Sequence, residues 1–167
     1  DTPPEAIGRK ALARALSDIA AMAGTPTHAL VTLGVHADMK PDLIEAVYQG
    51  LRDYAQEHRV NIVGGETTTL PQLTLSVSLI GEVAAPILRT GSEVGDAIFV
   101  SGELGGSLAG HHLEFTPRLK EARWLADQAK AHAMIDLSDG LAKDLRHLLT
   151  DQTGAELLTR ALPIRRA

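Results

Sequence analysis

Apolar residues at Ile7, Ala11, Leu12, Ala15, Leu16, Ile19, Ala20 and Ala23 recur with helical spacing at the start of the chain. Pro3 and Pro4 precede this series and Gly24-Thr25-Pro26 follows it, so the pattern predicts a helix over Glu5–Ala23. Ala29–Leu33 reads as a buried strand. Pro41 opens a second helix, with Leu43, Ile44, Val47, Leu51 and Tyr54 on one face and charged residues opposite. Asn61-Ile62-Val63 is a short strand running into Gly64-Gly65. From Leu73 to Val83 apolar and polar residues alternate with period two, as in a half-buried strand.

Ala84-Ala85-Pro86 interrupts this alternation, and a domain boundary near residues 84–90 divides the chain into 1–87 and 88–167. The second part predicts a strand over Ala97–Ser101, a glycine-rich turn over Gly102–Ser107 and a helix from beyond Pro117 to Lys130. A short strand at Ala133–Ile135, a helix over Ser138–Thr150 and a last strand near Ala155–Leu158 follow. Helices and strands mix throughout, which gives an α/β (α+β mixed) class.

Composition narrows the function. Only 3% of the 167 residues are aromatic while 44% are hydrophobic, so the core is built from Ala, Leu, Val and Ile. A net charge of −5 argues against sequence-independent nucleic-acid binding, which depends on neutralising phosphates. The absence of cysteine removes disulfides, thiolate chemistry and Cys-based zinc sites. No run approaches the roughly 18 apolar residues of a membrane span, so no membrane partner is expected.

The densest chemical signal is Ile135-Asp136-Leu137-Ser138-Asp139-Gly140-Leu141-Ala142-Lys143-Asp144. Two carboxylates, Asp136 and Asp139, flank a hydroxyl at a strand-to-helix turn, and such hard oxygens suit Mg²⁺ shared with substrate phosphates. The plainer account is that Ser138 or Asp139 caps the helix and Asp136 is a solvated turn residue. Gly64-Gly65-Glu66 places paired glycines and an acid at a strand end, where backbone N–H groups can approach an anion, or forms an ordinary loop. Asp18 is an acid inside an otherwise apolar helix, explained by a cation or by an edge position facing solvent. Arg89, just before a turn, is placed to meet a phosphate or to form a surface ion pair. Gly102–Ser107 lacks the lysine of a P-loop and is weak alone. The seven histidines show no metal-ligand spacing and read as structural or solvated.

In order, IGRKALARALSDIAAMAG (7–24), NIVGGETTT (61–69), SLIGEV (78–83), LRTGSEVGDAIFVSGELGGSLAG (88–110), FTPRLKEARWL (115–125), HAMIDLSDGLAKDL (132–145) and TGAELLTRALPI (153–164) resemble the thiamine-monophosphate kinases. These belong to the aminoimidazole-ribonucleotide-synthetase-like ATP-binding superfamily. The resemblance implies a cytoplasmic enzyme of two α/β domains, dimeric through a β-barrel shared by the N-terminal domains. It also implies Mg²⁺-dependent phosphoryl transfer from ATP to thiamine monophosphate. Residue by residue, Asp18, Asp136 and Asp139 match magnesium ligands, and Glu66 matches a metal-binding acid. Gly65, Arg89 and Ser138 match nucleotide contacts.

Departures accompany the resemblance. The family pattern has Asp where this chain has Glu66, and the segment between Ser107 and Pro117 is shorter than usual. The family's N-terminal part, with a Gly-Asp-Asp metal motif and barrel strands, and its C-terminal substrate-binding region are absent. The chain therefore reads as pieces of two domains. The alternatives are another ATP-dependent member of the superfamily, of the selenophosphate or purine-pathway type, and a truncated, non-catalytic, dimeric nucleotide-binding module.

Overall fold

Proline starts both long helices, where its missing N–H costs no hydrogen bond. In the computed structural model, which describes residues 2–165, α1 (Pro4–Ala21) begins after Pro3. It ends as the Ala23 and Gly24 N–H groups turn back to Ala20 and Ile19 carbonyls at 2.9 Å. β1 (Thr25–Val35) follows, then α2 (Pro41–Glu57), β2 (Asn61–Thr69) and β3 (Thr74–Glu82). These five elements lie where the hydrophobic pattern puts them. β1 and β2 are longer than their apolar cores because β1 is central, in the order β2-β1-β3, and hydrogen-bonds along its length on both sides. β2 runs parallel to it and β3 antiparallel.

The two helices cover one face of this mixed sheet. Leu12 and Leu16 of α1 and Leu51 of α2 have no exposed surface and cluster with Ala29 and Val31 of β1, and Val47 of α2 is likewise fully buried. The helix backbones touch at two glycines. A Cβ on Gly8 would lie 1.8 Å from the Val47 carbonyl oxygen, and one on Gly50 would lie 2.0 Å from that of Glu5. The other face of the sheet is open, with Leu30, Val63 and Ile80 exposed by 48, 60 and 63%.

The second half differs from its pattern. Its elements are a π-helical turn (Ser107–His111), the short α3 (His112–Glu114), α4 (Leu119–Trp124), a second π-helical turn (Leu125–Ala129), α5 (Leu141–Arg146) and a 3₁₀ turn (Thr159–Ala161). The helix expected beyond Pro117 is present as α4 and the π-helical turn after it. The strands expected at 97–101, 133–135 and 155–158 are absent. A strand needs a partner to take up its N–H and C=O groups, and no segment of the described residues ladders with these. Phe99 is accordingly 82% exposed. A single parallel bridge, Leu104 with Ile164, stands apart from the sheet. The helix expected over 138–150 shrinks to α5, which cannot begin before Gly140 because that residue takes φ +108° and ψ +150°.

The second half docks on α1. Leu119 and Ala122 of α4 join the core cluster of α1, α2 and β1, with Phe115 and Met134 packed against it. Arg9 of α1 is the polar tie. Its guanidinium donates to the carbonyls of Leu113 at 2.7 Å and Phe115 at 2.9 Å, and lies 4.4 Å from the centre of the Tyr54 ring. Beneath it, His58 packs edge-on against Tyr54, and its Nε2 is buried without a hydrogen-bond partner. No helix among the described residues is long and apolar enough to cross a membrane.

Two outcomes follow from this packing. Gly8→Ala adds about 1 kcal/mol of intrinsic helix propensity, but overpacking against a rigid carbonyl costs about 1–3 kcal/mol or more. The variant is expected to unfold at lower urea concentration than the parent. For His58, burial holds the imidazole below its ordinary 6.5, with Glu57 opposing the shift and Arg9 adding to it. The unfolded chain therefore binds the proton more readily, and this contribution to stability, complete above 6.5, is lost as the pH falls below it. His58→Gln should lose less stability than the parent between neutral and mildly acidic pH in denaturant titrations.

Candidate functional site

Ile19 and Ala20 are buried beneath the last turns of α1, while Ser17 and Asp18 lie at the edge of that stripe. The loop entering α5 runs back to this edge. Ser17 Oγ donates to Asp136 Oδ2 at 2.9 Å, joining residues 119 positions apart in sequence. Asp18 is close enough to Asp136 to feel its charge. The Asp18 carboxyl is pushed above its ordinary value, first by lost hydration and then by the Asp136 carboxylate, with Arg14 opposing. Two carboxylates held near each other beside a hydroxyl favour a hard cation between them.

Asp136 and Asp139 occupy one loop, but their side chains meet different partners. Asp139 Oδ2 accepts from Lys143 Nζ at 2.5 Å, one helical turn on. That bond and the lysine charge hold the exposed Asp139 carboxyl below its ordinary value. Ser138 is exposed, and its backbone N–H, with those of Asp139 and Gly140, donates to Asp144 Oδ2 at 2.9, 2.9 and 3.0 Å. Arg89 is exposed. It follows Leu88, whose carbonyl accepts from the Met134 N–H at 3.2 Å, so it lies beside the segment leading into Asp136.

Gly65 and Glu66 stand elsewhere. Both lie inside β2 rather than at a strand end, paired with Val31 and Thr32 of β1. Gly65 is required there, because a Cβ would lie 1.8 Å from the Val31 carbonyl oxygen and its φ is +147°. The register shifts between Ala29 and Leu30, which pair with Ile62 and Gly64 and leave Val63 as an extra residue. Side chains alternate across a strand, so this bulge moves Glu66 from the helix-covered face to the open one. Among the described residues, no three His, Asp or Glu side chains converge as a metal cluster. The structure thus brings together Asp18, Asp136 and Ser17, with Ser138, Asp139 and Arg89 on adjoining segments. Gly65 and Glu66 belong to the sheet.

Sequence reading missed Ser17, Lys143, Asp144 and Arg9. Asp144 carried one signal, since it stands beside the buried Leu145 on the helix face that packs inward. A buried acid demands a donor.

Comparison with known proteins places this arrangement in a class. Residues 1–83 match the family model of AIR synthase related protein, N-terminal domain. Over 163 residues the chain is 47% identical to thiamine-monophosphate kinase of Rhodopirellula baltica, covering 96% of this chain and 52% of that protein. It is 32% identical to the thiamine-monophosphate kinase of Aquifex aeolicus, covering 96% of this chain and 59% of that one. The solved structure of AaThiL complexed with AMPPCP and TMP superposes with a TM-score of 0.83 at 31% identity, covering 89% of this chain and 54% of that one. The chain belongs to the thiamine-monophosphate kinase family, and it spans about half the length of the curated relatives it matches.

Replacing Asp18 by Asn removes the repulsion from Asp136. Without divalent cation the variant should be more stable than the parent, by no more than about 1 kcal/mol for so exposed a pair. In Mg²⁺ titrations followed by thermal unfolding, the parent should gain more melting temperature than Asp18→Asn.

Proposed function

We propose that the protein containing this chain transfers the γ-phosphoryl group of ATP to thiamine monophosphate, forming thiamine diphosphate and ADP. The observation that carries this reading is the approach of Asp18 to Asp136 across the junction of the two halves. The thiamine-monophosphate kinases matching 96% of the chain, and the AaThiL complex with AMPPCP and TMP, support the nucleotide and the acceptor. Here Asp18 and Asp136 would hold Mg²⁺, with Asp139 on the adjoining loop as a further ligand. Magnesium, when bound, neutralises the phosphate oxygens and aligns the reacting groups. Ser17 orients the Asp136 carboxylate, and Arg89 and Ser138 contact the nucleotide.

The same reading divides the protein into an N-terminal domain over 1–87 and a C-terminal one from 88 onward, and makes it a cytoplasmic homodimer. The exposed Leu30, Val63 and Ile80 on the open sheet face support pairing of two N-terminal domains there.

The test is an assay of the protein in its parent reading frame with ATP, Mg²⁺ and thiamine monophosphate. Thiamine diphosphate should form, and Asp136→Asn should lower kcat/KM by roughly a hundredfold or more while preserving the fold, as loss of a metal ligand or charge clamp does. ATP consumption with other phosphate acceptors but not thiamine monophosphate would replace this reading with another superfamily activity.

A further inference from the structure

Among the described residues Asp144 is the single buried polar or charged residue, 3% exposed. It lies inside α5, yet its carboxylate reaches back out of the helix. One oxygen, Oδ2, accepts from the consecutive amides of Ser138, Asp139 and Gly140 at 2.9, 2.9 and 3.0 Å. This is not helix capping. An N-cap side chain bonds forward into the first turn, and a capping box returns one bond to the cap residue. Here three successive amides ahead of the helix close on one anionic oxygen.

Consecutive amides of this kind form a nest that binds phosphate in many loops. The loop of residues 138–140 has those donors, but the anion they hold is the protein's own. The neighbouring Lys143 holds the Asp139 side chain, so adjacent residues of α5 fix both the backbone and the carboxylate of Asp139. We propose that Asp144 is a positioning residue: its carboxylate fills the amide nest in place of a phosphate oxygen. It thereby commits the loop to presenting Asp136, beside Asp18, to a divalent cation instead of binding an anion through its amides. The effect on the cation rests on the magnesium reading above; occupation of the nest does not.

The experiment compares the parent, Asp144→Ala and Asp144→Asn for Mn²⁺ affinity by water-proton relaxation and for amide exchange at residues 138–140. Removing a group that orients metal ligands lowers metal affinity roughly 10–100-fold, and that loss is expected for Asp144→Ala. Formate, a small carboxylate able to enter the emptied nest, should restore both the affinity and the slow exchange. A role confined to overall stability gives no such formate-dependent recovery. Asp144→Asn keeps the shape without the charge and should bind Mn²⁺ more weakly than the parent at unchanged circular dichroism; it decides the matter if the alanine variant does not fold. Parental Mn²⁺ affinity in a folded Asp144 variant, or a loss that formate leaves untouched in Asp144→Ala, overturns the proposal. If the parent itself binds no Mn²⁺, the magnesium reading fails, and formate-dependent protection of the three amides still decides whether Asp144 fills the nest.

Discussion

The backbones of α1 and α2 are in contact, and that contact sets the geometry of everything above the sheet. Gly8 and Gly50 leave no Cβ between the helices, so the carbonyls of Val47 and Glu5 come within reach of the opposite helix. Close approach lets Leu12, Leu16, Val47 and Leu51 bury their full surface in a core with little aromatic bulk. It also fixes where α1 ends. Its last turns carry Ser17 and Asp18 to the edge where the loop before α5 arrives, and its first turns aim Arg9 at the carbonyls of Leu113 and Phe115. One helix is therefore the common reference for both halves.

The acids around that edge are treated in two ways. Asp144 is saturated by three amides and Asp139 is paired with Lys143. Asp18 and Asp136 are instead set against each other, with only a hydroxyl and Arg14 in mitigation. A fold optimised for stability alone would separate them. Carboxylates held in mutual repulsion are a mark of functional sites, and a cation bound between them would restore the stability they forgo.

Much of the first half was legible in the sequence because its signals are local. Prolines at helix starts, 3.6-residue periodicity and the alternation of Leu73–Val83 each act within one element. The second half obeyed its pattern less well. Ala97–Ser101 has the composition of a strand, but strand formation depends on a neighbour that no local pattern encodes. The site shows the same division. Asp18, Asp136 and Asp139 stood out as acids in apolar surroundings, whereas the Ser17–Asp136 bond spans 119 positions and carries no periodic trace. Glu66 is the sharpest case, since its face depends on one extra residue at Val63.

Arg9 gives the molecule an order of assembly. The strand pairing and the contact of α1 with α2 use partners within the first 82 residues. The carbonyls that Arg9 binds lie 104 and 106 positions away. Closing so long a loop is slow beside helix and hairpin formation. On a ribosome, which delivers residues from the N-terminus onward, every residue of these elements emerges before Leu113 does. The edge where Ser17 and Asp18 meet the loop of Asp136 is thus completed last.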